Sequence, residues 1–142
     1  MRYLGLDLGT KSLGIAITDR SCTIASVLKV IKFNSNDYSY ALKEVLNILN
    51  EYEISKIALG LPKNMNNSCG FASERSMNFK KLLEEKTDIP IYLVDERLST
   101  TEAENILLSA DMSREKRKKV IDGVAAQIIL ETFMKMEENK NG

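Results

Sequence analysis

The segment Gly5–Lys11, with the sequence GLDLGTK, constrains the fold of this chain more than any other. Residues 2–8 are mostly apolar, which is typical of a buried central strand, yet Asp7 lies among them. An ionised carboxylate is costly to bury unless a partner, hydrogen bonds or a cation stabilise it. The glycine and lysine that follow predict a tight turn, and a second apolar run at 13–18 predicts a β-hairpin. Asp7 therefore either caps an ordinary hairpin or belongs to a metal or phosphate site.

The chain of 142 residues contains no histidine, which excludes Ser-His-Asp and Cys-His catalysis and zinc sites that use imidazole. Acid–base or metal chemistry must then come from Asp, Glu, Lys or Tyr, which favours oxygen-liganded Mg²⁺ or Mn²⁺. Basic and acidic residues number 20 each, so the net charge indicates no partner. Cys22 and Cys69 have no metal-ligand spacing and are predicted to be unpaired thiols in a reducing cytoplasm.

The apolar patterns predict an α/β protein in which a strand–helix–strand unit makes the fourth strand parallel to the first. Strands are predicted at 2–8, 13–18, 23–33, 56–61 and 90–94, and helices at 38–52, 71–85, about 99–110 and 120–136. The second helix presents Phe79, Leu82 and Leu83 inward, and small residues in the last helix permit its close approach to a sheet. Residues 1–137 are predicted to form one domain, followed by a disordered tail at 138–142.

Further chemistry-bearing residues lie at the ends of these elements. The polar loop 63–70 follows the fourth strand and is either a binding loop or a solvated connector. Asp95 and Glu96 end the fifth strand, and Asp122 opens the last helix. If Asp7, Glu96 and Asp122 converge, the three anions repel one another unless divalent cations neutralise them.

Each of these carboxylates has an alternative role. Glu96 could pair with Arg97 or Lys11 at the surface, leaving Asp95 as the ligand. Asp122 could stabilise the positive end of its helix. The run 114–119 holds five basic residues in six and is either a solvated helix face or a contact for a nucleic-acid backbone.

The element order, with an aspartate on the first strand, resembles that of ribonuclease-H-like domains. The chain resembles most closely the YqgF proteins, a bacterial family named both as Holliday junction resolvases and as pre-16S rRNA nucleases. The resemblance rests on four stretches: GLDLGTKSLG at 5–14, GLP with Asn64 and Met65 at 60–65, DERLST at 95–100, and KKVID running into Ala125, Ala126, Ile129 and Leu130. Ser12 and Asn67 depart from the family pattern, at positions where arginine and glycine are common.

The resemblance implies a mixed five-stranded sheet, its first three strands antiparallel and its last two parallel to the first, flanked by helices on both faces. It implies a cytoplasmic nuclease that hydrolyses phosphodiester bonds with two Mg²⁺ or Mn²⁺ ions held by Asp7, Asp122 and Glu96 or Asp95. One strand would separate Glu96 from Asp7 in this strand order. Residues predicted to contact nucleic acid are Lys11, Arg97, Arg114, Lys116, Arg117, Lys118 and Lys119.

The substrate implied by the resemblance is structured RNA, in maturation of the 5′ end of pre-16S rRNA within ribosomal precursor particles. Resolution of Holliday junctions is the competing function, with the same chemistry. A third interpretation is a non-catalytic nucleic-acid-binding module. The GLDLGT segment also resembles the phosphate loop of actin-like and sugar-kinase ATPases, but one domain of this length supplies only half of their nucleotide site.

Overall fold

The computed structural model describes residues 1–9, 11–35, 37–61, 71–95 and 114–141. Within these ranges the elements are β1 Arg2–Leu8, β2 Ser12–Thr18, β3 Ala25–Lys32, α1 Tyr38–Glu51, β4 Ile54–Leu61, α2 Phe71–Lys86, β5 Ile91–Asp95 and α3 Arg114–Asn141. The predicted loop 63–70, Cys69 within it and the predicted helix at about 99–110 lie outside the described residues. Among the described helices, none is long and apolar enough to cross a membrane.

The strands form one sheet in the order β3-β2-β1-β4-β5. β2 pairs antiparallel with both β1 and β3, as expected for consecutive strands joined by short turns. β4 pairs in parallel with β1, and β5 pairs in parallel with β4. This confirms the predicted mixed sheet and leaves one strand, β4, between β5 and β1.

The sheet carries helices on both faces because side chains alternate along its strands. Leu4, Leu6 and Leu8 of β1 are buried on one face, in a core that includes residues of α1 and α2. On the other face, small residues such as Ala16 and Ala58 lie beneath α3. We call these the α1/α2 face and the α3 face.

The turn between β2 and β3 shows why β3 starts at Ala25 instead of residue 23. The Asp19 carboxylate accepts hydrogen bonds from the backbone N–H groups of Thr23 at 2.8 Å and Ile24 at 3.1 Å. The same carboxylate accepts bonds from the hydroxyls of Ser21 and Thr23. These bonds, the backbone ones first, hold the pKa of Asp19 well below its usual range. Cys22 adopts a left-handed φ of 58° in this turn.

Two helices differ from the sequence predictions. Leu82 is 38% exposed, although it was predicted to point inward, because the buried stripe of α2 runs through Ser76, Phe79 and Leu83 instead. α3 begins at Arg114, so the basic run forms its first turns and does not precede it. The same helix continues to Asn141, through the region predicted as a tail.

α3 runs antiparallel to β1 across the sheet. Near the start of β1, the rings of Tyr3 and Phe133 meet edge to face with centroids 5.4 Å apart. Two residues further along β1, Gly5 lies directly beneath Ala126 and Leu130. Because the residue numbers rise along β1 and fall along α3, the start of the helix lies toward the carboxyl end of the strand.

An ion pair fastens the far end of α3 to β4. The Lys56 ammonium donates to the carboxylate of Glu137, whose side chain is only 7% exposed. The ammonium also lies 5.9 Å from the ring centroids of Tyr3 and Tyr92. The hydrogen bond to Glu137 raises the pKa of Lys56 above its ordinary value.

We expect Lys56→Met to lower the free energy of unfolding by about 2 kcal/mol or more, because a buried carboxylate loses its cation. The value lies below that of a fully buried pair because the Lys56 side chain is 31% exposed. Urea denaturation at pH 7 measures it. Since the pKa of Lys56 is raised, the stabilisation is complete below the ordinary lysine pKa and is lost as the pH rises through the raised value.

The matched control is the double variant Lys56→Met/Glu137→Gln, in which no buried charge remains to be neutralised. It is expected to recover part of the loss. Equal stability of the parent and the single variant would contradict a stabilising pair.

Candidate active site

The carboxyl ends of β1, β3, β4 and β5 lie at one edge of the sheet, because β2 alone runs in the opposite direction. We call this the carboxyl edge. In open α/β sheets, ligands bind beyond the carboxyl ends of the strands. The Gly9–Lys11 turn belongs to this edge, where the Gly9 N–H donates to the Ser12 carbonyl at 2.8 Å. The Phe33 N–H donates to the Lys11 carbonyl at 3.0 Å, which ties the turn to the end of β3.

Asp7 lies on the central strand at this edge and is half-buried. Its neighbours Leu6 and Leu8 are buried on the α1/α2 face, so alternation directs Asp7 to the α3 face. Its partner on β2 is Gly14. On β4, Gly60 follows Leu59, the partner of Leu6. The positions beside Asp7 on both neighbouring strands are therefore glycines, which carry no β-carbon.

Asp122 shares a helical row with two residues of α3 that lie over β1. It lies four residues before Ala126 and eight before Leu130, the two residues that lie over Gly5. From residue 128, midway between these two, six residues toward the helix start cover about 9 Å, and two residues along β1 from Gly5 to Asp7 cover about 6.6 Å. The antiparallel packing therefore brings the backbone of Asp122 nearly level with Asp7 along the strand direction.

The observed start of α3 argues against the alternative role of Asp122, which was to stabilise the positive end of its helix. The sequence predicted that Asp122 opens its helix, but α3 begins eight residues earlier, at Arg114. Asp122 is thus more than two turns from the positive end, whereas the effect of the helix dipole falls off within the first turn. Stabilisation of the helix start does not explain this carboxylate.

Of the remaining predicted ligands, the structure describes Asp95. Asp95 is the last residue of β5 and is level with Leu61 of β4. Glu96 and Arg97 lie outside the described residues. With β4 between them, β5 and β1 are two strand spacings apart, about 10 Å.

The donor set at this edge suits a hard divalent cation. Asp7 and Asp122 are aspartates, a residue type whose carboxylate oxygens Mg²⁺ and Mn²⁺ prefer as ligands. Gly14 and Gly60 beside Asp7 add no side chain at these two positions. The residues present therefore fit a divalent metal.

Of the predicted nucleic-acid contacts, the structure brings two groups to this edge. Lys11 is exposed in the turn that follows β1. Arg114, Lys116, Arg117, Lys118 and Lys119 form the first turns of α3, before Asp122. The start of a helix carries the positive end of the helix dipole. Five cations there add to this positive potential at the start of α3.

The structure adds Lys32 to this edge, a residue that the sequence analysis did not nominate. Lys32 ends β3 and pairs with Ser12 beside the Gly9–Lys11 turn. The available signal was the predicted antiparallel pairing of the second and third strands. That pairing returns the end of the third strand to the edge that holds Asp7.

Comparisons with known structures show the fold. The structure titled "T. thermophilus RuvC in complex with Holliday junction substrate" matches with a TM-score of 0.61 over 96% of each chain, at 13% identity. The "putative N-acetylmannosamine kinase" of Listeria monocytogenes matches with a TM-score of 0.51 at 22% identity. That match covers 79% of this chain but only 41% of the kinase chain.

Comparisons with known sequences show the family. Proteins named "Putative pre-16S rRNA nuclease" from Geobacillus sp. (strain WCH70) and Bacillus subtilis (strain 168) are each 47% identical over 134 residues. These matches cover 94% of this chain and 97% of each relative. The model of the family described as "RuvX: Holliday junction resolvase" matches residues 1–136. The chain therefore belongs to the RuvX family, which confirms the resemblance to the YqgF proteins.

Proposed function

We propose that this protein is a cytoplasmic, metal-dependent nuclease that hydrolyses phosphodiester bonds in maturation of the 5′ end of pre-16S rRNA. The observation that carries the proposal is the packing of α3 against β1, which makes Asp122 nearly level with Asp7 at the carboxyl edge. Family membership supports a phosphodiester-hydrolysing enzyme. The names of the relatives support ribosomal RNA as its substrate.

Asp7, Asp122 and Glu96 are the proposed metal ligands. Asp95, the last residue of β5, is the alternative to Glu96. When bound, two divalent ions supply a deprotonated water as the nucleophile and stabilise charge on the leaving oxygen.

The chain's own cations would position the substrate. Lys11 follows β1, and the run 114–119 forms the first turns of α3 before Asp122, so a phosphate backbone that crosses the carboxyl edge would pass near these cations. Such contacts give affinity that depends on salt and carry no sequence information. Recognition of structured RNA would therefore depend on shape, within ribosomal precursor particles.

Resolution of Holliday junctions is the second candidate function. The family description and the fold shared with a resolvase favour it. It uses the same carboxylates and differs only in substrate. A nucleotide-dependent kinase is disfavoured, because this chain corresponds to less than half of the kinase that shares its fold.

The deciding experiment incubates the protein with a precursor RNA and with a four-way DNA junction, each with Mg²⁺ or Mn²⁺ and with EDTA. We expect metal-dependent cleavage of the RNA that EDTA abolishes. Cleavage of the junction alone would instead establish the resolvase function. Salt-dependent binding of either substrate without cleavage would contradict both and leave a binding module.

A further inference from the structure

A cleft of about 410 Å³ lies at the carboxyl edge where β3 ends and α1 begins. Lys32, Phe33, Asn34, Asp37 and Tyr40 line it. Its volume is within the range of pockets that bind small ligands. The sequence analysis predicted none of these residues as a nucleic-acid contact, and Lys32 is the residue that the cleft shares with the site described above.

Lys32 is the cation of this cleft. It is exposed, and no ion pair of Lys32 occurs among the residues that the structure describes. Lys29 on the same strand differs, since its ammonium pairs with the Glu44 carboxylate at 3.3 Å. Ile31 is buried on the α1/α2 face, so alternation directs Lys32 to the α3 face, but as the last residue of the edge strand β3 it still borders the cleft that Tyr40 of α1 lines from the other face. Lys32 is therefore available to a phosphate.

Tyr40 is the exposed aromatic residue of this cleft. Its side chain is 44% exposed, whereas the rings of Phe33 and Tyr38 pack edge to face with centroids 6.1 Å apart, against the core. The Tyr40 N–H donates to the Asp37 carboxylate at 3.4 Å, which caps α1 and fixes the start of the helix. The ring is thus held on a rigid element and its surface faces solvent.

We infer that this cleft binds an unpaired nucleotide of the substrate strand, with the Tyr40 ring against its base and Lys32 at its phosphate. This inference rests on the proposed nuclease function. An exposed ring beside an unpaired cation is the combination that binds single-stranded nucleic acid. β3 is two strand spacings from β1, about 10 Å, so one strand of nucleic acid could reach both this cleft and Asp7.

The polar residues of the cleft set the orientation of this nucleotide. The Asp37 carboxylate repels a phosphate, so the phosphate lies at the Lys32 end of the cleft and the base lies nearer α1. Asn34 carries a side-chain donor and an acceptor, both suited to the edge of a base. A fully paired end has no free base for Tyr40, so the cleft distinguishes a substrate with an unpaired extension from a blunt duplex.

The test uses the Asp7→Asn protein in EDTA, so that binding is measured without cleavage. Fluorescence anisotropy compares an RNA hairpin that has a single-stranded 5′ extension with the same hairpin lacking it, over a range of salt concentrations. We expect the added change Tyr40→Ala to weaken binding of the extended RNA by about 5-fold or more and to leave the blunt hairpin unaffected. Tyr40→Phe, which keeps the ring, is expected to retain the affinity.

Lys32→Ala is expected to weaken binding of the extended RNA and to reduce the slope of log affinity against log salt by about 1. Lys29→Ala is the matched control. It removes the Lys29 ammonium, which lies on the same strand and is already neutralised by the Glu44 carboxylate. The slope of log affinity against log salt is therefore expected to equal that of the parent.

The inference is overturned if Tyr40→Ala binds the extended RNA as the parent does, or if Lys32→Ala and Lys29→Ala have the same slope. Absence of any binding of the extended RNA also overturns it. Cleavage by the protein with unchanged Asp7, measured in parallel with metal, tests the nuclease function separately. If the protein cleaves with metal but the Tyr40 and Lys32 variants bind the extended RNA as the parent does, only the cleft is rejected. If the variants show the expected loss of binding but the protein does not cleave, only the nuclease function is rejected.

Discussion

Replacing Asp7 by asparagine is expected to lower the rate of metal-dependent cleavage by at least about 100-fold. Loss of a residue that only orients a metal ligand costs about 10- to 100-fold, so loss of a ligand costs more. The amide has the shape of the carboxylate but no charge with which to hold a cation. Asp7 is on the central strand between two glycine-bearing strands, so no neighbouring side chain on β2 or β4 takes its place.

Metal binding gives this prediction a second readout that does not depend on activity. A cation that binds only the folded protein adds about 2.7 kcal/mol of stability at 100 times its Kd. Mn²⁺ is therefore expected to raise the melting temperature of the parent and not of Asp7→Asn. In EDTA neither protein has a bound cation, so no metal-dependent difference in stability between them is expected.

Asp88→Asn is the matched control, since Asp88 is an exposed aspartate that precedes β5, at the opposite edge of the sheet. It is expected to keep both the cleavage rate and the Mn²⁺-dependent stabilisation. A stability loss of Asp7→Asn in EDTA, with the cleavage rate unchanged, would show that Asp7 caps the hairpin and holds no metal.

The sheet was predictable because its signals are local. The apolar runs that form β1, β2, β4 and β5 are each bounded by a turn or a proline. The strand–helix–strand order then predicts a right-handed crossover connection and a parallel pair of strands. The start of α3 was not predictable from the apolar pattern. Five basic residues open that helix, and no apolar period marks it until after Lys119.

Some residues of the candidate site could also be predicted from the sequence, and others could not. Asp7 was recognisable because a carboxylate is unexpected in an apolar strand, and the small residues after Asp122 predicted the close helix packing that the structure has. Lys32 and Tyr40 were not recognisable because one ends a strand and the other begins a helix. The connection between β3 and α1 brings them together at one cleft, and the antiparallel return of β3 places Lys32 opposite Ser12.

Gly5→Ala is expected to lower the free energy of unfolding by about 1–3 kcal/mol and the cleavage rate by about 100-fold. A β-carbon at Gly5 would lie 2.8 Å from the Leu130 β-carbon and 2.9 Å from the Ala126 carbonyl oxygen. Neither atom can rotate away, because both are fixed to the helix backbone. α3 must therefore move away from β1, and Asp122 moves with it.

This mechanism predicts that the activity loss exceeds what the stability loss explains. The rate is measured at a temperature where urea denaturation shows the variant to be folded, so that the fraction unfolded does not lower it. Shortening Leu130 to alanine is not expected to rescue Gly5→Ala, because alanine keeps the β-carbon that clashes. A displacement of about 1 Å at the reacting groups is enough to cost about 100-fold in rate.

Gly123→Ala is the control for close packing on the same helix. Its β-carbon would lie 3.0 Å from the Val27 Cγ1 atom and 3.4 Å from the Val30 Cγ2 atom, side-chain atoms on the edge strand that can yield. Alanine also gains about 1 kcal/mol over glycine within a helix, so stability is expected to change by less than about 1 kcal/mol. If Gly5→Ala were as stable and active as Gly123→Ala, α3 would not depend on Gly5 for its position. The alignment of Asp122 with Asp7 would then need another cause.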